Sequence, residues 1–171
     1  MDLNNLQVKA GTSYPEIKDA INCPKTVRIL KNLMSGSESE LKTILQYFYQ
    51  SSISKKIEKD ISNILEEISI VEMMHMGLLS HAIVDFGGEP RYENGMGQFF
   101  NTSTINYSTK LRDILDKNIV GEERSIEGYN QAIENVDNQS LKALLKRIIE
   151  DEKLHIKILT HLRDNVKFMS Y

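Results

Sequence analysis

Residues 65–82 read LEEISIVEMMHMGLLSHA, and a charged pair, Glu72 and His75, stands in the middle of an otherwise apolar stripe. Steps of four and three residues give Leu65, Ile68, Glu72, His75, Leu79 and Ala82, which is one face of a helix. Residues 141–162 repeat this as Leu141, Leu145, Ile148, Glu152, His155, Leu159 and Leu162. Two other segments carry a single glutamate in the same setting. They are Leu33, Ser37, Glu40, Ile44, Tyr47 and Leu115, Ile119, Glu122, Ile126, Tyr129, Ile133, Val136. Glu40 and Glu122 are 82 residues apart and Glu72 and Glu152 are 80 apart, so the chain reads as two copies of one helix pair.

Each copy supplies Glu-x6-Tyr and then Glu-x-x-His, the ligand pattern of a two-metal carboxylate site inside a helical bundle. A buried unpaired carboxylate costs several kcal/mol, so four that converge in one core require cationic compensation. Two divalent ions balance four carboxylates, with neutral imidazoles from His75 and His155 completing the coordination. Oxygen-rich ligation with one imidazole per metal suits iron, or manganese, better than a thiolate-preferring metal. The metal set expected is therefore Glu40, Glu72, His75, Glu122, Glu152 and His155. Tyr47 and Tyr129 lie seven residues beyond Glu40 and Glu122, close to the same azimuth. Two readings stay open for them: plain core aromatics, or phenols that hydrogen-bond a ligand carboxylate from another helix and fix its orientation. His81 and His161 lie six residues past His75 and His155, about 240° round the helix, and are expected to point away from the site.

A chain of 171 residues is long enough to bury a sizeable single core. Its net charge of −3 and pI near 5.8 give no reason to expect nucleic acid as a partner. On the sequence reading no apolar run approaches the ~20 residues of a membrane span, so no membrane is expected. The start, MDLNNLQVKAG, has neither a basic region nor an apolar stretch of the secretory type, which points to a cytoplasmic location. The one cysteine, Cys23, excludes an internal disulfide and a four-thiolate metal site, and reads as a loop thiol before Pro24. Lys55, Lys56 and Lys59 read as a solvated face.

The predicted architecture is all-α. Residues 1–36 form an N-terminal arm with a short helix after Pro24, and Gly36 marks a break. Residues 37–171 form a four-helix bundle with helices over about 37–52, 54–86, 108–136 and 138–166. Ser37-x-x-Glu40 also spells a capping box, Ser108 or Thr109 is placed to cap the third helix, and Asp137 and Asn138 the fourth. Gly87, Gly88 and Pro90 stop the second helix. The irregular stretch 87–107 would be out of place in a compact domain unless it had work to do. A 20-residue connection reaches about 65 Å, enough to run back along a helix of about 45 Å and start the next one in the same direction. One long crossover between the second and third helices is the ferritin-like connectivity.

From Ser37 to Arg163 the sequence resembles the ferritin-like superfamily, in particular its bacterioferritin and rubrerythrin branches. ELKTILQYF, Glu40 to Phe48, is similar to the first-helix segment of bacterioferritins, and VEMMH to their Glu-Met-x-His; DEKLH supplies the fourth helix. The resemblance implies that Glu72 and Glu152 bridge two ions, that Glu40 and Glu122 are terminal ligands, and that each histidine binds one metal. It departs at Ser125 and Ile126, where rubrerythrins add a glutamate one turn after the third-helix ligand, and in lacking the cysteines of a rubredoxin domain. Glu123 lies about 100° off the seam. Met73 stands where bacterioferritins carry a haem-binding methionine, but haem is not expected, and Met73, Met74 and Met76 read as core fillers.

The function implied is that of a di-iron, or di-manganese, carboxylate oxidoreductase. It would oxidise Fe(II) or reduce O2 or hydrogen peroxide, as a ferroxidase or a peroxidase-like enzyme, with Glu72 and Glu152 as its catalytic bridging carboxylates. A separate electron-donor protein and a homo-oligomer are compatible with this reading. The alternatives are an iron-binding or storage protein of bacterioferritin type and a structural bundle with a vestigial site.

Overall fold

The computed structural model describes residues 6–165. Among them are five α-helices: α1 Pro24–Ser35, α2 Glu40–Ser54, α3 Lys59–Asp85, α4 Leu111–Asn135 and α5 Gln139–Asn165. Helices α2 to α5 form the ferritin-like bundle, α1 packs against α3, and among the described residues there is no strand beyond one isolated bridge between Glu93 and Phe99.

Local chemistry sets the helix ends, several of which differ from the sequence reading. Ser39, not Ser37, caps α2 by accepting from Lys42 N, so Glu40 is the first helical residue and turns its side chain inward instead of back onto the backbone. Helix α3 begins at Lys59, after a four-residue connection from Ser54, and α4 at Leu111 after Lys110, with neither Ser108 nor Thr109 serving as cap. Asn138 caps α5, its Oδ1 accepting from Leu141 N at 2.8 Å. Val166, the predicted end of the last helix, lies outside the described residues. At the end of α3, Gly87 has φ of +81°, a left-handed conformation that glycine adopts without steric penalty.

Two apolar cores fill the ends of the bundle and leave a polar layer between them. One end gathers Leu79, Ala82 and Ile83 of α3, Tyr129, Ala132 and Val136, and Leu141 to Ile149 of α5. The other gathers Ile61 to Ile68 of α3, Ile114, Leu115 and Ile119 of α4, and Ile158 to Leu162 of α5. This distribution fixes the directions: α3 and α4 run parallel and α5 runs antiparallel to them. The chain between Phe86 and Lys110 therefore returns along the bundle as a long crossover. Its end is tied down by a buried amide network, in which Gln46 donates to Asn118, Asn118 donates to Gln50, and both glutamines bond the backbone of Asn106.

The N-terminal arm lies across both cores. Leu6 and Val8 pack on the second, Tyr14, Ile17 and Ala20 on the first, so residues between them pass over the polar layer. Helix α3 alone, among the described helices, is long and apolar enough to cross a bilayer by length and composition, contrary to the expectation from the sequence. The reason is its position. It sits against three neighbours and carries buried Ser62, Ser69, Glu72 and His75 along its packed side.

Candidate metal centre

In the layer between the two cores, α2 and α4 each contribute one carboxylate, while α3 and α5 each contribute a glutamate and a histidine three residues apart. That spacing turns both side chains to the same face, about 60° apart in azimuth. All six groups meet: none of Glu40, Glu72, His75, Glu122, Glu152 and His155 is more than 5% exposed. Their ligand atoms form two sets, each with all members within 4.8 Å of one another: Glu40, Glu72, His75, Glu152 and Glu72, Glu122, Glu152, His155.

Glu72 and Glu152 belong to both sets because each carboxylate spans the two imidazoles. Glu72 places Oε2 3.0 Å from His75 Nδ1 and Oε1 3.0 Å from His155 Nδ1. Glu152 places Oε1 3.4 Å from His75 Nδ1 and Oε2 3.1 Å from His155 Nδ1. Glu40 reaches only His75, at 3.7 Å, and Glu122 only His155, at 3.9 Å. The tyrosines cross between helices: Tyr47 of α2 donates to Glu122 of α4, and Tyr129 of α4 donates to Glu40 of α2. Burial keeps both phenols protonated, well above their ordinary range, so they act as donors.

The outer nitrogens of the two imidazoles decide which atoms face the centre. His155 Nε2 lies 2.9 Å from the Val8 carbonyl, which can only accept, so this nitrogen carries the proton. His75 Nε2 lies 3.0 Å from Asp151 Oδ2 and donates in the same way. Both Nδ1 atoms are thus left to face the four carboxylates. In a protein without metal they must carry a second proton, and burial, which pushes both histidines down, is overcome by surrounding carboxylates that hold them well above their usual value. Burial and the Glu72 charge hold Glu40 and Glu122 well above the usual carboxylate range. Burial pushes Glu72 up too, but the bonds from His155 and His75 outweigh it and hold this carboxyl low. Glu72 Oε1 and Glu152 Oε1 are buried and, apart from the imidazole that each faces, have no hydrogen-bond partner. Buried carboxylate oxygens gathered round two imidazole Nδ1 atoms, four acids in one layer and no thiolate are the donor chemistry of two hard or borderline divalent cations, and the cluster fits a di-metal site.

Of the other sequence expectations, that for Met73 and Met74 fails and those for His81, His161 and Glu123 hold. Met73 and Met74 are 46% and 36% exposed, not core fillers, because they stand about 100° and 200° from Glu72 on a helix whose packed side Glu72 occupies. His81 is exposed and His161 bonds Asn165, so neither joins the site, and Glu123 is exposed. Reasoning from the sequence missed Asp151, Arg147, Tyr14 and Val8. Asp151 is fully buried, accepts from Ala10 N and Tyr14 OH at 2.7 Å each, and pairs with Arg147 at 2.8 Å. Arg147 in turn donates to the arm carbonyls of Thr12 and Ala10. An acid and an arginine four apart on one helix, with the acid adjoining a ligand, was a signal available in the sequence; the arm's carbonyls left none.

Comparison with known proteins follows the same lines. The rubrerythrin family model matches residues 31–163. No curated protein matches the chain. Among solved structures, the manganese catalase KatB from Anabaena superposes with a TM-score of 0.83 at 19% identity, over 95% of this chain and 84% of that one. The Desulfovibrio desulfuricans bacterioferritin gives 0.72 at 22% identity, over 83% and 80%. A Rhodobacter capsulatus bacterioferritin with a metal-free dinuclear site gives 0.70 at 22% identity, over 84% and 86%. These likenesses agree on the fold, and with the family match spanning the bundle up to its last two described residues, the chain belongs to the rubrerythrin family.

Proposed function

We propose that the chain is a di-metal oxidoreductase that holds two iron or manganese ions between Glu72 and Glu152 and acts on peroxide or dioxygen, or oxidises Fe(II). The observation that supports it most is that each of these two carboxylates reaches both His75 Nδ1 and His155 Nδ1. In this reading Glu40, Glu72, His75 and Glu152 would hold one ion, and Glu72, Glu122, Glu152 and His155 the other. A bound pair of redox-active ions would supply reversible two-electron exchange with a small oxidant.

The protein's own contribution is orientation and seclusion. Tyr47 and Tyr129 each hold one oxygen of a terminal carboxylate and fix its orientation: Glu40 turns its other oxygen, Oε2, to His75, while Glu122 meets both Tyr47 and His155 through Oε1. The apolar cores above and below keep water out. A crevice of about 10 Å³ between α2 and α4, lined by Glu38, Lys42, Thr43, Gln46, Asn118 and Gly121, leads to Tyr47 and Glu122. That space is of the order of a single water, and it suits a substrate of a few atoms.

The test is to load the purified protein with Fe(II) or Mn(II) and measure bound metal, Fe(II) oxidation and peroxide consumption. Two metals per chain are expected, and Glu72→Ala and Glu152→Ala, with helical circular dichroism retained, drop to the background rate. Undiminished rates in both variants would refute the assignment. The likeness to two bacterioferritins favours a second reading, iron uptake into a shell of many copies, for which the chain would elute far ahead of a monomer or dimer.

A further inference from the structure

The duplicated halves of the site differ at a buried position that adjoins a ligand. The residue before Glu152 is Asp151, and its counterpart 80 residues earlier, before Glu72, is Val71. Both are buried, at 0% and 3% exposure. Asp151 accepts the Nε2 proton of His75. A valine in the equivalent place can accept nothing, and His155 Nε2 is satisfied instead by the Val8 carbonyl of the arm. The two imidazoles thus lean on unequal supports, one an ionised carboxylate and the other a neutral peptide oxygen.

Asp151 is secured as an anion from several sides. Its Oδ1 accepts from Ala10 N, its Oδ2 from Tyr14 OH, and Arg147 pairs with it while its guanidinium is anchored by the arm and lies 4.5 Å from the Tyr14 ring. Burial pushes this carboxyl up, but the bonds from His75, Ala10 and Tyr14 outweigh it and hold it at about 2. A carboxylate behind a ligating imidazole draws on the N–H and leaves the opposite nitrogen more basic, hence a stronger ligand. Loss of such an outer partner typically costs about 10–100-fold in metal affinity.

We propose that the two metal positions are unequal, and that Asp151, acting through His75, makes the position formed by Glu40, Glu72, His75 and Glu152 the tighter one for a divalent cation. The proposal rests on the di-metal reading above. Asp151 is a positioning residue here, not a ligand, and the arm is part of the device because it supports Asp151 on one side and His155 on the other. The asymmetry gives the centre an order of filling, with the His75 position first.

The test is calorimetric titration of the metal-free full chain with Mn(II), under conditions where no turnover occurs. His155→Ala isolates the His75 position and His75→Ala isolates the His155 position, so single-site affinities are compared without interaction between ions. The remaining site in His155→Ala should bind at least about 10-fold tighter than that in His75→Ala. Adding Asp151→Asn should cost about 10–100-fold in the first background and less than about 3-fold in the second, a difference that a general loosening of the fold would not produce. In the otherwise wild-type chain, Asp151→Asn should weaken the first of two binding steps and spare the second, so the inference is tested even if a histidine variant fails to fold. Equal single-site affinities, a tighter site in His75→Ala, or equal weakening of both steps by Asp151→Asn would overturn it. Two equivalent ions would sink this inference alone, whereas fewer than two per chain would sink the di-metal reading with it.

Discussion

Each tyrosine of the site is paid for by a carboxylate on the opposite helix. Tyr47 and Tyr129 are each 1% exposed, and each gives its hydroxyl proton to Glu122 or Glu40. Phenylalanine keeps the volume but leaves a buried oxygen without a donor. Tyr47→Phe and Tyr129→Phe are each expected to destabilise the metal-free protein by about 1–3 kcal/mol in urea titrations, where an ordinary core aromatic would show almost no change. The converging acids and imidazoles were legible because glutamate and histidine on an apolar seam violate its pattern, twice over at a fixed offset. Asp151 obeyed no such rule. Beside Glu152 and Glu150 it reads as one more charge on a helix, and only the tertiary approach of His75 and the arm gives it a role.

At the scale of elements, the arm is a strap whose partners belong to α5. Arg147 is 4% exposed and links Asp151 to the carbonyls of Ala10 and Thr12. Arg147→Ala strips a buried carboxylate of its cation, for which about 3–5 kcal/mol is typical. The expected result is a lower melting temperature together with faster proteolysis between Gly11 and Tyr14. Unchanged cleavage would mean that the arm is held by its apolar contacts alone. The four bundle helices and the crossover were legible from periodicity, chain length and the glycines after Phe86. The edges were less so, because capping depends on which serine the backbone presents: Ser39 over Ser37 at α2, and no side chain at α4. Met73 and Met74 were misplaced by composition, since a methionine-rich run reads as core whichever way the helix is turned.

For the whole molecule, two apolar cores flank a layer that is stable only with its charges balanced. Without metal the balance is made by protons. Glu40 and Glu122, ordinarily near 4.5, and His75 and His155, ordinarily near 6.5, are all held well above those values in the fold. Above about pH 5, where Glu72 and Asp151 are ionised folded or unfolded, the folded state therefore binds more protons than the unfolded one, and the stability that these four groups contribute is present below their ordinary values and lost as pH rises through the raised ones. Bound metal takes the place of these protons, so its affinity increases with pH. The melting temperature of metal-free protein is expected to fall between pH 5 and pH 8, while the increment gained on adding Mn(II) grows over the same range. Parallel curves with and without Mn(II) would contradict a site of this kind. The most direct measurement is anomalous scattering from a crystal of the full chain loaded with Mn(II). Two peaks about 3.5–4 Å apart, between Glu72 and Glu152 and each beside one histidine Nδ1, are predicted. Peaks confined to surface carboxylates, with the interior cluster unchanged, would contradict the account.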